Sequence, residues 1–181
     1  IGRLRRFGDP LEVPLSGTEE WCAVYRSCLP GSEVPVYFLD HQALYGRDGI
    51  YGSKTEPSSV DNLQRFALLS RGAFQLCRAL DWFPDVMHSH DWPAALVPVC
   101  LYAREFDGPF ADTGSVLTIH NLAHQGVFPK RDFKHLPFDP EFYKRFGFES
   151  RDGLNLLQAG LQNADILTTV SPTYAREIQT A

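Results

Sequence analysis

No run of this chain approaches the roughly 18 consecutive apolar residues of a membrane-spanning helix, so a helical membrane protein is excluded. Positive charge is not in surplus either. Seventeen Lys and Arg face 22 Asp and Glu, a formal net charge of −5, whereas a non-specific nucleic-acid binder would be basic. The basic start, Arg3, Arg5 and Arg6, is short and reads as a solvated edge. Cysteine is sparse: Cys22, Cys28, Cys77 and Cys100 form no C-x-x-C pair and no zinc pattern. Cys77 and Cys100 fall in apolar helical stretches and fit small buried hydrophobes, and the pattern suits a reducing compartment. Also missing are a G-x-G-x-x-G dinucleotide loop, a G-x-x-x-x-G-K-[ST] phosphate loop and a G-x-S-x-G elbow, which argues against a dehydrogenase, a P-loop NTPase and an α/β-hydrolase. The chain begins with Ile1, has no apolar signal segment, and ends in a helix-like run, Tyr174 to Ala181. It reads as a piece of a longer protein.

What is present is ordinary globular material. The chain has 181 residues, 44% hydrophobic and 22% charged, enough for one cored domain or a little more. The opening to Ser32 has no clean period, apart from a short alternating run around Trp21 to Tyr25 that reads as an edge strand. Val34 to Leu39 is β-branched and aromatic, with Pro35 marking a strand start or edge. A polar loop, Gly46 to Ser59, follows. From Asp61 to Leu80, Leu63, Phe66, Ala67, Ser70, Phe74, Cys77 and Leu80 recur at three and four, an amphipathic helix capped by Ser59 or Asp61.

Asp85 to His90 reads as a strand. Asp91 is suited to cap a helix running to about Phe106, which Pro98 should kink. Val116 to Ile119 is a further strand, Pro140 to Phe146 a short helix, Asp152 to Ala164 a longer one and Asp165 to Val170 a strand. Ser171-Pro172 opens the last helix. This alternation predicts βαβ units and an open, Rossmann-like parallel sheet in an α/β fold, with helices on both faces.

Polar residues gather at the strand ends: His88, His90 and Asp91 on one strand, His120 and Asn121 on the next, Ser171 on a third. In open parallel sheets ligands bind at the carboxyl ends of strands. Each residue also has a plainer role. Asp91 and Ser171 can be helix caps, Trp92 can be core, and one of His88 and His90, which share a strand face, can be a buried, satisfied histidine. An aromatic beside a carboxylate, as in Asp91-Trp92, is also how sugar faces are stacked and sugar hydroxyls bonded. His88-x-His90 with His120 and His124 resembles metal-ligand spacing and keeps a metal-dependent hydrolase open as a competing reading.

Five ordered segments carry a resemblance. Val36-Tyr37-Phe38-Leu39-Asp40, Asp61 to Leu69, His88-Ser89-His90-Asp91-Trp92, Thr118 to Gly126 and Ala164 to Ile178 are similar to the bacterial glycogen synthase and plant starch synthase family. The resemblance implies a retaining glucosyltransferase of two Rossmann-like domains (the GT-B type). It would move glucose from ADP-glucose to the non-reducing end of an α-1,4-glucan, with no cofactor beyond the sugar-nucleotide substrate. It implies that residues 1–181 are a partial N-terminal, acceptor-side domain, without the Lys-x-Gly-Gly donor loop and without the C-terminal nucleotide-binding domain. His120 and Asp91 match catalytic positions, while Trp92, Asn121 and Tyr51 match acceptor contacts. Where glycogen synthases often carry histidine after the Asp-Trp pair, this chain has Pro93.

Expected partners are therefore ADP-glucose and glycogen or starch, with no nucleic acid and no membrane. The expected compartment is a bacterial cytoplasm, or a plastid stroma for a plant chain. The piece alone is expected to be inactive. A non-catalytic glucan-binding module that kept only the acceptor face is the alternative of another class.

Overall fold

The computed structural model describes residues 3–51, 60–105, 107–151 and 153–180. Ser59 as a helix cap, Phe106 as a helix end and Asp152 as a helix start lie outside the described residues.

The first layer is antiparallel. Strands β1 (Arg5–Arg6) and β2 (Leu11–Leu15) lie along one edge of β3 (Thr18–Cys28), and β4 (Pro35–Asp40) lies along the other. Two expectations are corrected. The run at Trp21 to Tyr25 belongs to a central strand, and Val36 to Leu39 does not begin a parallel series. The connection from Cys28 to Pro35 is a tight turn, closed by a Leu29 N–H donating to the Val34 carbonyl at 3.0 Å. Parallel pairing would need a crossover of a dozen or more residues. Pro35 does open its strand, as expected. Arg5 and Arg6 are exposed, the solvated edge that their short run implied.

A four-residue helix α1 (Gln42–Tyr45) leads towards α2 (Val60–Ala79). The predicted stripe is realised: Leu63, Phe66, Ala67, Phe74 and Cys77 are buried. They pack on the inward face of the antiparallel sheet, where Leu11, Val13 and Leu15 alternate with outward residues. Cys22, Cys28 and Cys77 are free thiols, and Cys77 and Cys100 are buried.

The second layer is parallel: β5 (Val86–His90) pairs with β6 (Gly114–Ile119). Between them the expected single helix is broken into three pieces, a 3-10 turn at Trp92–Ala94, α3 (Leu96–Cys100) and a π-helical turn at Leu101–Glu105. Pro98 is the cause in part, since it has no N–H to give the preceding turn. The π turn carries Glu105, 3% exposed, which accepts from Arg71 Nη1 at 3.0 Å and from Arg78 Nη2. The carboxylate thereby ties this turn to α2.

After β6 come β7 (Val127–Pro129), α4 (Phe142–Arg145), β8 (Glu149–Ser150) and β9 (Gly153–Asn155). These strands form a small antiparallel sheet of order β7-β9-β8 beside a cluster that includes Phe133, Tyr143 and Phe148. Helix α5 (Leu156–Asn163) therefore starts later than the periodicity suggested. Gly153 to Asn155 is strand, and Asn155 caps the helix by accepting from the Gln158 N–H at 2.9 Å. Gly160 lets α5 approach α3: a Cβ there would lie 2.7 Å from the Ala95 carbonyl oxygen.

Strand β10 (Ile166–Thr169) completes the parallel order β10-β6-β5, and α6 (Pro172–Glu177) follows with Ser171 as its cap. Asp165 fastens the sheet's amino end. It accepts from the Ser115 N–H and hydroxyl, each at 2.7 Å, and from Tyr102 Oη at 2.7 Å. The Ser115 and Tyr102 hydroxyls hold its carboxyl below the ordinary carboxylate range.

One face of this sheet is packed: Ser89, Leu117 and Ile119 are buried beneath α3 and its neighbours. The other is open, with Val86 (54% exposed), His88, His90 and Ile166 (57% exposed) standing on it. A parallel sheet is usually covered on both sides. Among the described residues only one side is covered, which corrects the expectation of helices on both faces.

Candidate active site

Three parallel strands deliver polar groups to one edge, and Asp91 joins two of them. Its N–H donates to the Thr118 carbonyl at 2.9 Å, extending the ladder one residue past β5. Its Oδ1 accepts from the N–H groups of His120 at 2.8 Å and Asn121 at 3.3 Å. Asp91 occupies the cap position of the 3-10 turn, yet its side chain makes no capping bond. The capping role is thus replaced by a tie across to the end of β6. The backbone carries a cost for this: φ 54° and ψ −174° is a region used almost only by glycine, with strain of about 1–3 kcal/mol. Such strain persists where the surroundings over-determine it, as they do here from both strands.

A histidine cluster lies beside Asp91. His88 and His90, two apart on β5, stack with ring centroids 4.3 Å apart. His88 Nε2 is bonded to Thr118 Oγ1 at 2.6 Å, and Thr118 Oγ1 to Thr168 Oγ1 at 2.6 Å. His90 Nδ1 is 3.0 Å from His120 Nε2. Neither His88 nor His90 is buried, which corrects the reading of one as a core histidine. Burial nonetheless lowers the His90 pKa from its ordinary value, and His88 and His120 beside it lower it further. His88, His90 and His120 bond instead to one another and to threonine. Among the described residues no group of three or more His, Cys, Asp or Glu side chains is arranged to hold a metal ion.

A cavity of about 560 Å³ opens next to Asp91 and is lined by Tyr51, Asp91, Trp92, Asn121, Gly126 and Phe128, together with their loop neighbours. Its volume suits a small-molecule or sugar site. Asp91, Trp92, Asn121 and Tyr51 therefore share one cavity, although Tyr51 is 41 residues away in sequence from Trp92. His120 is not part of that lining; its ring bonds to His90. Trp92 is only 8% exposed, wedged by Phe66 (4.7 Å between centroids), Tyr51 (5.7 Å) and Phe128 (6.0 Å). Tyr51, 48% exposed, carries the more open aromatic surface.

The loop 121–126 forms one wall and is held from several sides. Asn121 Oδ1 accepts from the Ala123 N–H at 3.0 Å, and the Leu122 N–H donates to Tyr174 Oη of α6 at 2.8 Å. Gln125 Oε1 accepts from Asn155 Nδ2 at 2.6 Å. The first N–H groups of α5, at Leu156 and Leu157, donate to the carbonyls of Gly126 and Gln125 at 3.1 Å each. Gly126 has φ 62°, and a Cβ there would lie 2.4 Å from the Trp92 ring. Sequence reasoning did not single out Tyr174, Asn155 or Gly126 as supports. The glycine between Gln125 and Val127 was the one available signal; the other two act across long separations.

The geometry defines an α/β domain whose candidate site lies at the carboxyl edge of a parallel sheet. The starch synthase catalytic domain family matches residues 1–181, and the chain belongs to that family. It is 48% identical over 176 residues to the glycogen synthase of Treponema denticola, covering 97% of this chain and 36% of the relative. It is 42% identical over 179 residues to glycogen synthase 1 of Geobacter sulfurreducens, covering 98% and 36%. The catalytic domain of starch synthase IV from Arabidopsis thaliana, solved bound to ADP and acarbose, superposes with a TM-score of 0.84 at 26% identity, covering 98% of this chain and 36% of that one. The chain thus spans 36% of the length of these relatives. Its fold is one Rossmann-like half of the GT-B architecture. No helix among the described residues is long and apolar enough to cross a membrane.

Proposed function

We propose that this chain is the acceptor-side part of a glucan synthase that transfers glucose from ADP-glucose to the non-reducing end of an α-1,4-glucan, with retention of configuration. The observation that carries the reading is Asp91: a carboxylate held in a strained backbone, tied to His120 and Asn121, at the mouth of a cavity bordered by aromatic rings. The relatives support the substrate class, since they are glycogen synthases and a starch synthase seen with ADP and acarbose.

The chemistry follows from the charges. Glucosyl transfer develops positive charge on the sugar ring and negative charge on the departing diphosphate. In this reading a preorganised carboxylate, Asp91, and the polar groups of His120 act on the reacting sugars, and fixed groups of this kind stabilise developing charge without reorganising. Tyr51, Asn121 and the edge of Trp92 would orient the glucan so that its terminal hydroxyl meets the anomeric carbon. This chemistry needs neither a covalent nucleophile nor the paired carboxylates of glycoside hydrolases. The clamp on the diphosphate would come from a second domain. Bacterial cytoplasm is the compartment that fits these substrates.

The test expresses the chain at the full length its gene encodes and measures glucose incorporation into glycogen from ADP-glucose and from UDP-glucose. Transfer preferring ADP-glucose is expected, and the 181-residue piece alone should show none. Glycogen binding without transfer by the full-length chain would replace this reading with that of a glucan-binding module.

A further inference from the structure

His120 is held in two different ways, and only one of them sets its ring. Its backbone N–H is fixed by Asp91 Oδ1 at 2.8 Å. That bond places the Cα but leaves rotation of the side chain open. The ring is met instead by His90, whose Nδ1 lies 3.0 Å from His120 Nε2, with the centroids 5.2 Å apart. Consecutive residues at the end of β5 thus grip His120, one by its main chain and the other by its imidazole.

Two imidazoles joined in this way share one proton along the line between the nitrogens. One nitrogen donates and the other accepts, so the state of either ring dictates that of the other. His90 is itself constrained. Its strand position is opposite Thr118, and its ring lies against His88, which is bonded to Thr118 Oγ1. The groups facing it are His88 and Asp91 on its own strand end and His120 from the end of β6. Burial and the two histidines favour its neutral form, in which Nδ1 is a defined donor or acceptor.

Resting on the glucosyltransferase reading above, we propose that His90 is a positioning residue: through its Nδ1 it holds the His120 imidazole in one rotamer and one tautomer. The remaining His120 nitrogen, Nδ1, then meets a sugar hydroxyl with settled donor or acceptor character. His90 itself need not touch the substrate.

The test uses the chain at its full encoded length, assayed for glucosyl transfer, with three substitutions. His90→Ala removes the bond. His90→Asn keeps an amide atom where Nδ1 lies, and His90→Gln is closer in bulk but puts its amide where Nε2 lies. Loss of an orienting partner costs on the order of 10- to 100-fold in rate. His90→Ala and His90→Gln should therefore lose that much in kcat, with KM for both substrates nearly unchanged, the pattern of an interaction that matters in the transition state. His90→Asn should recover most of the loss. If His90→Asn is no better than His90→Gln, or if the loss appears in KM alone, the inference is overturned while the functional reading stands. If the unsubstituted chain transfers no glucose, the functional reading falls and takes this inference with it.

Discussion

At the scale of single residues, backbone strain gathers at the candidate site. Asp91 lies in backbone space that nearly every other residue type avoids except glycine, and it is the residue whose carboxylate bridges two strand ends. These two facts separate fold from function experimentally. Asp91→Asn keeps the Oδ1 acceptor and removes the charge, so the fold should stay close to its starting stability. Glucosyl transfer by the full-length chain should fall about 100- to 1000-fold, the usual effect of losing one preorganised electrostatic contact. Parallel thermal unfolding and kcat measurements check this. A large drop in melting temperature with little loss of kcat would make Asp91 a structural tie only. Asp91 also shows a limit of local reading. An Asp before a helical turn is suited to capping, and nothing in the residues around it tells that its side chain turns away to the end of β6.

At the scale of elements, loop 121–126 is a wall built from borrowed parts: α6 supplies Tyr174, β9 supplies Asn155, and α5 supplies its first N–H groups. Gly126 is the pivot, because its positive φ and the Trp92 ring together leave no space for a side chain. Gly126→Ala should destabilise the chain by about 1–3 kcal/mol and raise the KM for glucan more than it lowers kcat, read by denaturant unfolding and by acceptor titration. A second dependency joins helical elements. Glu105 in the π turn is buried between Arg71 and Arg78 of α2. Glu105→Ala would leave those guanidinium groups without their counter-charge and should cost about 3–5 kcal/mol, measured as a lowered denaturant midpoint with an unchanged m-value. The π turn itself was not legible. The apolar run to Glu105 has helical composition, and the widening of the last turn depends on Pro98 and on where the two arginines can reach.

At the scale of the whole molecule, the parallel sheet has one packed and one open face, and the open face carries Val86 and Ile166 beside the histidines. Exposed apolar surface of this kind binds hydrophobic dyes. The 181 residues in isolation should raise the fluorescence of an anilinonaphthalene sulfonate probe, and the chain at full encoded length should raise it less per molecule. Equal dye binding by both would show that nothing covers the face.

The sequence by itself determined the α/β class, the α2 stripe from Leu63 to Cys77, the three strands that contain His88 to His90, Val116 to Ile119 and Ile166 to Thr169, and the Ser171 cap. Each of these rests on a period or a neighbour within a few residues, and local backbone geometry enforces it. It also brought Asp91, His120 and Asn121 forward as a group, because strands of one parallel sheet end on one edge. Only the tertiary structure decided that Val36 to Leu39 pairs antiparallel, that Gly153 to Asn155 is strand rather than helix, that Tyr51 leans on Trp92, and that His90 meets His120. Those outcomes depend on partners 9 to 41 residues distant, for example Ser27 opposite Val36 and Trp92 against Tyr51. No local pattern encodes such partners, because the free energy that selects them comes from burial and hydrogen bonding shared between the two segments.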